Sequence, residues 1–161
     1  MKFKKHTHKS GERVVPVSLA VHVEKSLAEI KRPLKKKSAK DVRQDINTLL
    51  AKDGWSDKVR ISAKRALTLA SKNGSTALCL QTGGNMARFY ADLLKLQAQF
   101  LDGKISSAIF ILPCQSAAVK MGSNLANFER LNSELTNMFS KVITVPLLVY
   151  GFYNDGEEGE A

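Results

Sequence analysis

Few side chains in this sequence of 161 residues stand in combinations that could do chemistry. Two cysteines, Cys79 and Cys114, each lie in an apolar run. They are too few for a disulfide framework and read as buried free thiols in a reducing compartment. His6 and His8 are two residues apart with no Cys or carboxylate at ligand spacing, so they read as solvated residues rather than a metal site. Gly83-Gly84-Asn85 precedes an apolar-periodic segment, and Arg88 falls in its first turn. Backbone donors at such a helix start suit a phosphate. No Asp or Glu occurs between Asp57 and Asp92, which leaves that stretch without a carboxylate for acid, base or metal chemistry.

The charge points the same way as the helix start. The chain has 25 Lys and Arg against 15 Asp and Glu, a net charge of +10. Residues 1–80 hold 19 basic against 7 acidic residues (+12), and residues 81–161 hold 6 against 8 (−2). Such asymmetry suggests a polyanionic partner, and nucleic acid leads because cationic side chains release counterions condensed on phosphates. An anionic membrane surface fits less well, since no basic amphipathic helix with bulky aromatics is present. No apolar run approaches the roughly 20 residues that span a bilayer, and no secretory signal is visible, so a cytoplasmic location is expected.

The elements that must position these residues follow from periodicity. Residues 1–13 are rich in Lys and His without apolar periodicity, and the chain to residue 15 is expected to be a flexible basic arm. Leu19, Ala20, Val23, Leu27 and Ile30 predict a helix stopped before Pro33, with Ser18 as its cap. A basic loop, Lys35-Lys36-Lys37, leads to Ser38 and a second helix through Val42, Ile46, Leu49 and Leu50, ended by Gly54. Trp55 reads as a buried aromatic. Lys58–Ser62 and Ala66–Ala70 predict strands, and Lys72-Asn73-Gly74-Ser75 a hairpin returning through Thr76–Gln81. Asn85 caps a helix from Met86 to about Leu101. Ile105–Leu112 predicts a strand buried on both faces. Helical segments follow over Ser116–Lys120 and Asn124–Phe139. Val142–Tyr150, interrupted by Pro146, predicts a strand at a sheet edge. Residues 16–153 form one mixed α/β domain, and residues 154–161 an acidic tail.

From Asn73 onward the order of segments is specific. Leu78-Cys79-Leu80-Gln81 leads to Gly83-Gly84-Asn85-Met86-Ala87-Arg88-Phe89-Tyr90-Ala91-Asp92-Leu93-Leu94-Lys95-Leu96-Gln97, then Asp102-Gly103-Lys104-Ile105. Gly122-Ser123-Asn124, Phe128-Glu129-Arg130 and Ile143–Val149 follow. Over roughly residues 55–152 this resembles the BglII/BstYI-like type II restriction endonucleases of the PD-(D/E)XK superfamily. The resemblance implies a restriction-endonuclease-like mixed central sheet flanked by helices. It also implies double-stranded DNA as ligand and a prokaryotic homodimer on a palindromic site.

In the family pattern an Asp lies nine residues before a Glu, and a Gln or Lys follows the Glu by two. These residues hold Mg²⁺ for phosphodiester hydrolysis. Aligned on Gln81, the Glu position is Cys79 and the Asp position is Ala70. The expectation is a DNA-binding protein without nuclease activity, and without a metal or other cofactor. A carboxylate beside Gln81 would reopen the case for catalysis. One alternative is a Mg²⁺-dependent endonuclease with relocated acids, Glu24 or Glu29. Another is a protein-interaction module that binds a partner protein and regulates a DNA-processing enzyme. Candidate DNA contacts are Lys35, Lys36, Lys37, Lys64, Arg65 and Lys72 to the backbone, Asn85 and Arg88 at the helix start, and Ser123 and Asn124 toward base edges. Lys95 and Glu129 are expected to serve packing or dimer contacts.

Overall fold

A computed structural model describes residues 1–62, 64, 66–122 and 124–155. The first half contains β1 (Lys2–His8), α1 (Gly11–Val14), α2 (Val17–Glu29), α3 (Ala39–Lys52), β2 (Val59–Arg60), β3 (Thr68–Leu69) and β4 (Ser71–Asn73). The second half contains β5 (Thr76–Leu80), α4 (Met86–Leu101), β6 (Ser107–Pro113), α5 (Gln115–Met121), α6 (Phe128–Asn137) and β7 (Leu147–Tyr153). Five strands form one mixed sheet in the order β1-β7-β6-β5-β4, and β2 and β3 form a separate ribbon. The three central strands are mutually parallel and both outer pairings are antiparallel.

The parallel strands are the apolar runs Thr76–Leu80, Ser107–Pro113 and Leu147–Tyr153, buried at every position. Parallel strands covered by crossover helices have no solvent face, so their sequences do not alternate. α4 covers one face, with the Phe89 ring 5.7 Å from that of Phe110. α6 lies beside it, and Tyr90 donates its hydroxyl to Glu134 at 3.0 Å. α2 covers the opposite face, where Tyr150 donates to Glu24 at 3.0 Å. Trp55 is buried, as its surroundings in the sequence suggested. No helix among the described residues is long and apolar enough to cross a membrane.

Several local expectations are corrected. The segment read as a flexible arm forms an edge strand, with Lys2–His8 pairing antiparallel to Leu147–Tyr153. Phe3 packs edge-on against Tyr150 at 5.7 Å, Lys5 reaches Glu24 at 2.8 Å, and His8 Nε2 donates to the Ile143 carbonyl at 2.7 Å. An edge strand needs only one apolar contact row, and exposed lysines protect its open side, so period-two alternation is weak. β7 is consequently interior rather than at the edge. Pro146 stands just before the strand and uses only its carbonyl, which accepts from the Ala108 amide at 2.9 Å. The Ala66–Ala70 strand shrinks to Thr68–Leu69 and joins the ribbon. Helix α2 begins after Pro16 rather than Ser18, and Ser38 Oγ accepts from the Lys35 amide instead of capping α3. The acidic tail expected at 154–161 lies outside the described residues beyond Asp155.

Candidate functional site

At the end of β5, Cys79 and Gln81 are two apart, so their side chains share one side of the chain. Cys79 is in register with Phe110, whose ring faces Phe89, so this side looks toward α4. The pairing of Ser71 with Leu78 sets Ala70 next to Cys79 across the hairpin. The three residues thus come together as the spacing required. Their surroundings form a cleft of about 340 Å³ between the hairpin, α3 and the first half of α4.

Asp92 is the one carboxylate among the described residues that line this cleft. It sits on α4 directly opposite the strand end. Its Oδ2 accepts from the Gln81 amide and its Oδ1 pairs with Lys95. Lys95 also donates to the Thr68 carbonyl at 3.0 Å. The carboxylate beside Gln81, the observation that reopens the case for catalysis, is therefore present, and Lys95 is paired with it. Gly84 makes room for this arrangement, because a Cβ there would fall 2.2 Å from Gln81 Oε1.

The other polar lining is cationic. Arg43 enters from α3 and donates from Nη2 to the Leu80 carbonyl at 2.7 Å. Burial lowers its pKa, opposed by Asp92, and the guanidinium stays charged at neutral pH. Lys58 and Arg88 complete the wall and form no ion pair with the described residues. Four cations face one carboxylate, a surplus of three positive charges. Cys79 is 2% exposed, and burial pushes its thiol well above the usual range, reinforced by Asp92. A thiol is a soft donor, poorly matched to a hard divalent cation.

The donor set does not fit a hard divalent cation. Mg²⁺ requires near-octahedral oxygen ligands, with one or two free carboxylates among them. Ala70 offers no side-chain donor, Cys79 offers a soft thiol, and Asp92 is paired with Lys95. No group of three or more His, Cys, Asp or Glu suited to a metal occurs among the described residues.

The remaining candidates divide. Arg88 lines the cleft, and Asn85 accepts from the Arg88 amide at 3.3 Å as the cap of α4. Lys36 and Asn124 line a separate hollow of about 590 Å³ with Lys120, Asn127 and Arg130. The cap of α6 is Asn127, not Asn124, which instead takes a positive φ of 57°. Lys35 and Lys37 are exposed in the loop before α3, and the Lys37 amide donates to the Met121 carbonyl at 3.3 Å. Lys72 is tied to the Lys104 carbonyl at 3.1 Å. Lys64 is exposed between β2 and β3. Arg65 and Ser123 lie outside the described residues. Glu129 accepts from the Gln115 amide at 2.7 Å.

Neither relocated acid reaches the cleft. Glu24 binds Lys5 and Tyr150 on the opposite face of the sheet. Tyr150, Ile111 and Leu80 are in register across β7, β6 and β5, so Glu24 stands two strand spacings away, roughly 10 Å along the sheet. Glu29 lines another hollow beside Arg32 and Asp45. Sequence reasoning missed Arg43, Lys58, Asp92 and Lys95 as site residues. A charged pair three residues apart at the margin of an apolar helix face was the available signal for the last two.

A family model for restriction endonuclease BglII/BglIII matches residues 3–152. The chain belongs to the BglII/BglIII restriction endonuclease family. Its fold is similar to restriction endonuclease BglII complexed with a DNA 16-mer, with a TM-score of 0.86 and 14% identity over 96% of this chain and 79% of that one. It is also similar to free BglII, with a TM-score of 0.69 and 16% identity over 96% of this chain and 81% of that one. No curated protein matches it in sequence.

Proposed function

We propose that this protein binds double-stranded DNA on its restriction-endonuclease scaffold without hydrolysing it. The observation that carries this reading is the cleft itself. Ala70 and Cys79 stand where the resemblance implies the metal-binding Asp and Glu, Lys95 pairs with the one lining carboxylate, and three further cations line the walls. A phosphodiester is attracted to that surface, while the oxygen ligands for metal-assisted attack on it are lacking. The separate hollow beside Asn124 holds further basic residues, Lys36, Lys120 and Arg130, the last paired with Glu134.

A second copy of the chain is the partner this reading expects, because a two-fold dimer matches a palindromic duplex. Exposed Leu94 and Leu101, one heptad apart on α4, offer an apolar row for it. Buried free Cys79 and Cys114 are consistent with a reducing cytoplasm.

The test pairs binding with cleavage. The protein is expected to shift duplex DNA in a gel with steep salt dependence, and to leave plasmid intact in Mg²⁺ or Mn²⁺. Cleavage that disappears in Gln81→Ala would overturn the absence of catalysis. Absence of binding at low salt would overturn the DNA reading and favour a protein partner.

A further inference from the structure

Lys95, which lines the cleft, is held between two oxygen acceptors. Its ammonium lies between the Asp92 carboxylate and the Thr68 backbone carbonyl, the latter at 3.0 Å. A carboxylate and a backbone carbonyl are both hard oxygen donors of the kind that hold metal cations. Here an ammonium takes both. Its side chain is 21% exposed, so the charge is fixed in place yet reachable from the cleft. Three N–H donors leave one for a ligand oxygen after these two contacts. Asp92 is itself fixed from the other side by Gln81, which Gly84 allows to pack close. Arg43 and Arg88 line the same cleft.

We propose that Lys95 is a built-in cation that takes over the charge-neutralising role of a divalent ion, so that the cleft holds a DNA phosphate oxygen without any metal. This rests on the DNA-binding reading above and adds to it the residue that anchors the phosphate and the independence from divalent ions.

The experiment is fluorescence anisotropy of a labelled mixed-sequence duplex with the full chain, in EDTA and across a Mg²⁺ titration. The parent protein binds fully in EDTA, and Mg²⁺ only weakens it by competing for phosphates. Lys95→Met keeps the apolar stem and removes the charge. It binds roughly ten- to a hundredfold more weakly in EDTA, the range for losing one charged hydrogen bond. Its salt slope falls by about 0.9, one phosphate contact.

A merely structural lysine would not predict the next result. With Lys95 gone, Asp92 and the Thr68 carbonyl are released to share Mg²⁺ with a phosphate, so Mg²⁺ strengthens binding by Lys95→Met. Asp92→Asn added to Lys95→Met abolishes that gain. Lys95→Arg keeps binding in EDTA, which separates charge from fold. The proposal is overturned if the parent needs Mg²⁺ to bind, or if Lys95→Met binds like the parent in EDTA. A parent protein that binds no DNA in either condition refutes the DNA-binding reading itself.

Discussion

Replacing Asp92 with Asn is expected to make the protein less stable and its grip on DNA tighter. The substitution preserves shape and leaves an oxygen that can still accept from Lys95. What disappears is one negative charge. The Asp92 and Lys95 side chains are 15% and 21% exposed, between the buried and surface extremes. Breaking a fully buried pair costs about 3–5 kcal/mol, and an exposed pair about 0–1 kcal/mol. Lys95 retains the Thr68 carbonyl at 3.0 Å, so a loss of about 1–3 kcal/mol is expected in urea denaturation. The effect on DNA has the opposite sign. A phosphate roughly 6 Å from the carboxylate is repelled by about 0.7 kcal/mol in bulk water and about 2.8 kcal/mol at an effective dielectric of 20. Removing that repulsion tightens binding by about three- to a hundredfold in anisotropy titrations at fixed salt. Binding no tighter than the parent's would show that no phosphate enters the cleft near Asp92, and the placement of DNA there would be wrong.

Two further outcomes follow from local geometry. Gly84→Ala puts a Cβ 2.2 Å from Gln81 Oε1 and should cost about 1–3 kcal/mol by pushing Gln81 off Asp92. In a double-mutant cycle with Gln81→Ala the penalty should largely vanish, and additive losses would contradict the clash. Burial lowers the pKa of His8 below 6.5, against a smaller opposing effect of its hydrogen bond to Ile143. The unfolded chain therefore takes up the proton more readily. Stability is full above about pH 6.5 and declines as the pH falls toward the folded-state pKa. Thermal melts of His8→Gln across that window should show a shallower decline, and an unchanged decline would place the titration elsewhere.

The sequence alone determined the two apolar strands β5 and β6, the hairpin, the long capped helix and the spacing of Ala70, Cys79 and Gln81. Each is written in residues close together along the chain: continuous apolar runs, Asn73-Gly74, Asn85 before Met86, and a period of two along one strand. From these came the family and the absence of acids at the hairpin. Only the tertiary structure decided which other side chains share the cleft. Arg43 arrives from α3 and Lys58 from the loop before the ribbon, and neither is marked by local spacing as belonging with Gln81. Asp92 and Lys95 read as ordinary helix charges until α4 is laid against the end of β5, where the pair closes on Gln81 and the Thr68 carbonyl. The N-terminal segment shows the same division. Its lysines describe a solvated chain, yet one open edge of β7 was enough to recruit it as a strand, because backbone hydrogen bonds do not depend on side-chain pattern. Charge composition pointed to a polyanion, and packing decided that an ammonium is held in the cleft between Asp92 and the Thr68 carbonyl.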